Sequence, residues 1–441
     1  MRAHAALLLL AGVVGCQSPS GSGSVQTAPH LPAAAAAPVD PMATLDVAAI
    51  ARTVAAVRGL PQKGPIAVSL LDEDGFNQAF NRHSDESFAR DDGRRFGGKR
   101  PKDDANIYLA FYDEYAHVVL LRSTLPSWTA TENAKHTAEE TRAFVEGLVA
   151  HEVTHALQDQ HFTLQRFTEE PDADRRRAYR ALVEGDAETT RIAFEALRAG
   201  KNRAEALHEV ARWSARDADD LEDLGGISPA LRSSNRARRE SVLFSYVHGA
   251  RFVATVWERG GFPLVNSLYV RPPSRTAEVF HPEFLLGGGE RLVFPALPAP
   301  PGFHATEATV FGELATRNFL AGLLRKPAAV DMAADAALRA TLAGKLRADR
   351  AETLVNAKGR TAFLWIAEFS DDAAPQELAR RVVDRQKDDA AHGVGTNEPL
   401  LVVAQGTRLV FVSDLPEAPS KALAEKLLAL APVVEKVEPL K

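Results

Sequence analysis

The chain has 441 residues, a formal net charge of −6, an apolar fraction of 45% and one cysteine. The mild charge and the lack of a basic stripe exclude a nucleic-acid partner on electrostatic grounds, and a lone cysteine excludes a disulfide framework. Beyond the first forty or so residues, roughly 400 remain, more than most single cores hold, which implies two domains and a sizeable apolar interior.

Met1 to Cys16 reads MRAHAALLLLAGVVGC, with one arginine, an apolar run and then small residues. That order is an export signal, too short to stay in a bilayer as a span. Val13-Val14-Gly15-Cys16 resembles a bacterial lipobox, which implies that residues 1–15 are removed and that Cys16 carries a lipid anchoring the chain in the cell envelope. Gln17 follows where an aspartate would resemble an inner-membrane retention signal, so the outer membrane is expected if the source has two membranes. Residues 16–43, rich in Ser, Gly, Ala and Pro, bury too little apolar surface to offset ordering entropy and read as a flexible tether.

Thr44 to Leu60 reads as a helix stopped by Pro61. Ile66 to Leu71 is a strand, and the mixed-charge run Arg90 to Asp104 is a solvated loop. Ile107 to Phe111 and Val118 to Leu121 form a hairpin joined by Tyr112-Asp113-Glu114-Tyr115. Thr137 to His161 then opens with a capping box, Thr137 with Glu140, and carries Phe144, Leu148, Val149 and Leu157 as an apolar stripe.

Within that helix lies His151-Glu152-Val153-Thr154-His155. At about 3.6 residues per turn, histidines four apart share a face and can hold one small cation. The glutamate between them is placed to act on water, so the pattern is the zinc-protease signature, with Glu152 as general base.

A catalytic zinc takes three protein ligands and keeps a fourth position open. His161 has the spacing of the metzincin signature, but Gln158 stands where that signature needs a glycine to turn the chain. If the helix continues, ten residues rotate it through about 1000° and carry His161 off the face of His151. Glu184, in ALVEGDAE on the next helical segment from Asp172 to Arg198, is the favoured third ligand. Gly185 would let the two helices approach closely, and Glu188, one turn on, could orient a ligand.

HExxH on one helix completed by a glutamate on the next resembles the gluzincins. HEVTHALQDQHF followed by ALVEGDAE is similar to a group of bacterial and archaeal metallopeptidases, often lipoproteins. Ser245 to Phe284 is similar to the same group through Tyr246, Gly249, Phe252, Pro272, Pro273, Ser274 and His281-Pro282-Glu283, with Arg275 departing from a serine. The resemblance covers about half the chain. It implies a zincin-like domain over residues 44–345 that binds zinc and cleaves a peptide or protein substrate. A sheet edge beside the metal helix would hold that substrate as an added strand.

Such sites supply one more donor for the developing oxyanion. Tyr246, His248 and His281 are the catalytic candidates, with Tyr112 and Tyr115 in the hairpin behind them. Gly287 to Pro301 reads as an exposed loop. Strands at Ala362 to Phe369, Leu400 to Ala404 and Arg408 to Val412, with helices at Ala374 to Asp388 and Pro419 to Leu430, suggest a small α+β accessory unit over residues 360–441, its boundary near Gly344 to Lys358. The expected fold is therefore α+β and helix-rich. Two other functions fit the sequence: a catalytically silent zincin-like lipoprotein that binds a peptide or envelope partner, against which the intact Glu152 speaks, and an amidase acting on cell-wall peptide.

Overall fold

A computed structural model describes residues 45–88, 108–124, 137–214, 236–322, 332–391 and 400–441. The expected leader, Cys16, the expected tether and the Arg90 to Asp104 run lie outside the described residues. The fold is mixed helix and sheet, as expected. No described helix is long and apolar enough to cross a membrane.

The first unit begins with α1 (Val47–Arg58), β1 (Ala67–Leu71) and α2 (Glu73–Phe88). β2 (Ala110–Asp113) and β3 (Val118–Arg122) form the expected hairpin. Its turn is tighter than the sequence implied. Tyr112 and Asp113 still pair with Val119 and Val118, and the Asp113 carboxylate closes the turn by accepting from the Tyr115 and Ala116 N–H groups at 3.0 Å each. The sheet order β1-β3-β2 leaves β2 at an edge, against α3 (Ala138–Phe162).

The capping box of α3 is present, with the Glu140 N–H donating to the Thr137 hydroxyl and the Thr137 N–H to the Glu140 carboxylate. The stripe behaves differently from expectation. Val149 and Leu157 are buried, but Phe144 and Leu148 are half-buried, and every residue from Val149 to Gln158 is buried whatever its polarity. The helix is surrounded, with α1 on one side, the hairpin on another and α4 (Ala173–Arg198) on a third. A helix enclosed on all sides has no solvent face to show as a stripe, and its polar residues must find partners inside.

α5 (Arg203–Ser214) and α6 (Arg236–Leu243) follow, and α6 runs through a π-helical turn (Phe244–His248) into α7 (Gly249–Val270), which breaks at Gly260 and Gly261. Gly185 does permit a close approach, but to this segment and not to α3. A Cβ on Gly185 would fall on the Gly249 carbonyl, and one on Gly249 would fall on the Ala181 carbonyl oxygen. Backbone contact between α4 and the start of α7 fixes where the π turn sits.

The second unit is a five-stranded antiparallel sheet in the order β5 (Phe303–Thr309), β6 (Leu346–Asn356), β7 (Thr361–Phe369), β9 (Arg408–Ser413) and β8 (Leu400–Gln405). It starts far upstream of residue 360. β4 (Gly289–Val293) and β5 (Phe303–Thr309) precede α9 (Gly312–Gly322), reached after the short α8 (Thr276–Phe280), and α10 (Met332–Gly344). Gly287 to Pro301 is therefore not all loop, and Phe294 and Leu297 within it are buried. β6 (Leu346–Asn356) occupies the stretch read as a boundary. Its charges hide it from pattern reading, yet Ala348, Ala351 and Leu354 point inward and Arg350 pairs with Glu352 at 2.6 Å. β7 (Thr361–Phe369), α11 (Ala373–Ala391), β8 (Leu400–Gln405), β9 (Arg408–Ser413) and α12 (Glu417–Leu428) follow where expected. β10 (Val433–Val437) then returns to pair with β4, and Leu440 ends in the core of the first unit.

The units are tied by buried polar groups. Arg275, the departure from serine, donates to the Leu292 carbonyl on β4 at 2.6 Å and to the Arg347 carbonyl on β6 at 3.2 Å. Asp174 on α4 accepts from the Thr276 hydroxyl at 2.6 Å. Asp349 on β6 accepts from the Phe311 N–H at 2.7 Å and the Trp365 indole N–H at 3.1 Å. Gly312 lies between the two acids at φ 79°, where a Cβ would strike the Asp174 carboxylate.

Candidate metal centre

His151 and His155 leave the same face of α3, and Glu184 reaches them from α4. His151 Nε2 lies 3.2 Å from Glu184 Oε2, while His155 Nε2 lies 3.1 Å from His151 Nε2 and 3.4 Å from Glu184 Oε2. Donors about 2.0–2.1 Å from a tetrahedral ion stand roughly 3.3–3.4 Å apart, so the three atoms already have the spacing of a zinc ligand set. Among the described residues this is the one group of three or more His, Cys, Asp or Glu side chains whose ligand atoms converge in this way.

The protons are accounted for elsewhere. His151 Nδ1 faces the Glu188 carboxylate at 3.5 Å, and a carboxylate can only accept, so the ring proton sits on Nδ1. His155 Nδ1 lies 2.9 Å from Gln158 Oε1 and donates to it. With those protons on Nδ1, both Nε2 atoms are free to offer lone pairs beside a carboxylate oxygen in a buried place, and the donor set of two imidazoles and one carboxylate suits zinc.

Without a cation between them, these groups draw a proton instead. Burial opposes charge on His151, but Glu184 and Glu188 outweigh it and raise the imidazole to about 10. Burial also opposes charge on Glu184, and the two histidines still hold it well below the carboxylate range. Glu188 is brought down to about 2 against its burial, by Arg191 and then His151. Glu152 behaves in the opposite way. Burial raises its carboxyl, His151 and His155 offset part of that, and the Tyr112 backbone N–H on the edge strand β2 favours the charged form.

Tyr246 is the one oxyanion candidate that the fold brings to the centre. Its ring stacks on His151 with centroids 5.8 Å apart and planes 25° from parallel. Burial and the nearby Glu184 push its phenol well above the ordinary value, so it keeps its proton. The π turn that presents it is a rare element that recurs at functional sites. His248, two residues on, faces the other way. It packs on Phe244 and Phe280, and burial with the charges of Arg317, Arg251 and His281 brings it down to about 3. His281 pairs with Glu313 at 3.1 Å, which raises its imidazole. Neither histidine joins the three converging side chains, since His248 packs on Phe244 and Phe280 and His281 pairs with Glu313. His161 is also elsewhere, its Nε2 2.7 Å from the Pro61 carbonyl oxygen, since α3 runs on to Phe162 and rotates it away.

Tyr112 and Tyr115 have structural partners: the Tyr112 hydroxyl donates to Asp159 at 2.7 Å, and the Tyr115 ring meets His83. Sequence reasoning missed Gln158, Asp186, Arg58 and Tyr108. Tyr108 stacks on Phe80 and is close enough to Tyr246 to act on its phenol. Only the helical offset of three from His155 could have flagged Gln158. No family model matches the chain, and no curated protein or solved structure does either.

Proposed function

We propose that the protein is a zinc-dependent metallopeptidase of zincin-like design, with His151, His155 and Glu184 as metal ligands. The observation that carries this reading is the convergence of three candidate donor atoms at 3.1–3.4 Å, with Glu152 next in sequence to His151. A zinc ion held there would polarise a peptide carbonyl and acidify a water.

The chain's own residues do the rest. Glu152 takes the proton of the attacking water and hands it to the leaving amine nitrogen. Burial raises its carboxyl above the ordinary carboxylate value, which makes it a stronger base. The Tyr112 N–H holds that carboxylate in place. The Tyr246 hydroxyl donates to the carbonyl oxygen as negative charge develops on it. The substrate lies along β2. Because Arg122 and Leu109 are a hydrogen-bonded pair, alternation turns the N–H and C=O of Ala110 and the C=O of Tyr112 outward from the sheet edge, and an extended peptide can use such groups whatever its side chains.

Lipid attachment at Cys16, and with it location in the cell envelope, belongs to the same proposal and is checked by the mass of the mature N-terminal peptide. The enzymatic reading is checked by measuring zinc per chain and cleavage of a mixed peptide library, before and after a chelator and again after zinc is restored. Cleavage that follows the metal supports it. Stoichiometric zinc without cleavage of any peptide would turn the reading towards a binding protein.

A further inference from the structure

We infer that Gln158 is a positioning residue for His155, and that a buried centre at Asp186 holds Gln158 in the required orientation. The inference rests on the metal reading above and concerns which nitrogen His155 presents.

A side-chain amide can flip, and a flipped Gln158 would offer N–H groups to His155 Nδ1. The ring would then carry its proton on Nε2, where the metal needs a lone pair. The surroundings forbid the flip. Gln158 Nε2 has two acceptors, the Val183 carbonyl oxygen at 3.1 Å and Asp186 Oδ2 at 3.0 Å, both on α4. An oxygen in that position would face two other oxygens with no proton between them. Gln158 is fully buried, so water cannot relieve the mismatch.

Asp186 is held in turn. Its Oδ1 accepts from Arg58 Nε at 2.6 Å, and its Oδ2 accepts from Arg58 Nη2 at 3.0 Å and from the Tyr269 hydroxyl at 2.7 Å. Arg58 lies on α1, 128 positions away in the chain, and Tyr269 lies on α7. The lone pair that His155 offers is thus chosen by residues from four helices. His151 is served differently, by the Glu188 carboxylate backed by Arg191.

Cobalt(II) titration of the purified full chain in competition with a chelator tests this, together with the visible spectrum of the bound ion. Gln158→Met keeps the volume and removes the acceptor. Gln158→Glu keeps an oxygen facing His155 Nδ1, and its second oxygen, buried beside the Asp186 carboxylate, carries a proton that takes the place of the amide N–H. The expected result is a loss of about 10–100-fold in cobalt affinity for Gln158→Met, with a shifted spectrum, and affinity within about threefold of wild type for Gln158→Glu. Thermal unfolding of the metal-free proteins separates positioning from folding: metal-induced stabilisation shrinks in Gln158→Met beyond any change in the metal-free midpoint. Should Gln158→Met fail to fold, Gln158→Glu decides alone. Equal affinity and spectrum in wild type and Gln158→Met would overturn the inference, as would a Gln158→Glu protein that binds tenfold or more weakly. Wild-type protein that takes up no cobalt would overturn the metal reading itself, a distinct failure.

Discussion

Gly185 and Gly249 touch backbone to backbone: a Cβ on the first would fall on the carbonyl of the second. This contact seats α7 and the π turn against α4, and so sets Tyr246 over His151. In an ordinary helix interior, Gly→Ala stabilises by about 1 kcal/mol. Here the sign reverses. Gly185→Ala should destabilise by about 1–3 kcal/mol, because the helices must part to admit the methyl group, and a lower urea midpoint at unchanged slope would report it.

The ligand assignment predicts metal content. Glu184→Ala removes an oxygen that stands 3.2 Å and 3.4 Å from the two histidine nitrogens, and purified protein should retain far less zinc by mass spectrometry. His161→Ala, whose ring is engaged with the Pro61 carbonyl, should retain wild-type zinc. The reverse pattern would move the third ligand to His161.

Tyr246→Phe keeps the ring that stacks on His151 and removes the hydroxyl. If that hydroxyl serves the oxyanion, kcat should fall by about 10²–10³ with KM and zinc content nearly unchanged. His248→Ala and His281→Gln, which lie in the Phe280, Glu313 and Arg317 cluster, should leave turnover close to wild type. A large kcat loss in either histidine variant would return it to the catalytic candidates.

The buried acids between the two units predict a pH dependence of stability. Burial raises Asp349 to about 6 from an ordinary 3.8, and burial raises Asp174 well above its ordinary value. A carboxyl whose folded pKa is raised favours the folded state fully below its unfolded pKa, and that contribution is lost as pH rises through the folded pKa. Asp349 should therefore cost up to about 3 kcal/mol of stability between roughly pH 4 and pH 6. Urea titrations across that window should show the loss in wild type and a flatter profile in Asp349→Asn. An unchanged profile would mean that Asp349 titrates normally.

The helical logic of the candidate metal centre is legible because its parts are local or repeat a known spacing. His151 and His155 share a face by period, Thr137 and Glu140 announce the helix start, and Glu188 follows Glu184 by one turn. What surrounds the centre was not legible. Gln158 looks like any polar helix residue until Asp186, Arg58 and Tyr269 are seen around it, and those contacts join residues with no periodic relation. Gly185 marks a contact point, and its partner is Gly249 at the start of α7 and not α3, since a glycine shows that something approaches without naming it. β6 was hidden because its charges are paired within the fold, and His248 and His281 looked catalytic because residue type does not reveal which side of a helix faces the metal.

The most direct test of the central claim is peptide hydrolysis by zinc-loaded Glu152→Gln beside zinc-loaded wild type. The substitution keeps the shape of the side chain and all three ligands but removes the base. The account predicts wild-type zinc content and a loss of turnover of at least about 10²–10⁴-fold. A Glu152→Gln protein that binds zinc and cleaves the same peptides at the wild-type rate would contradict it.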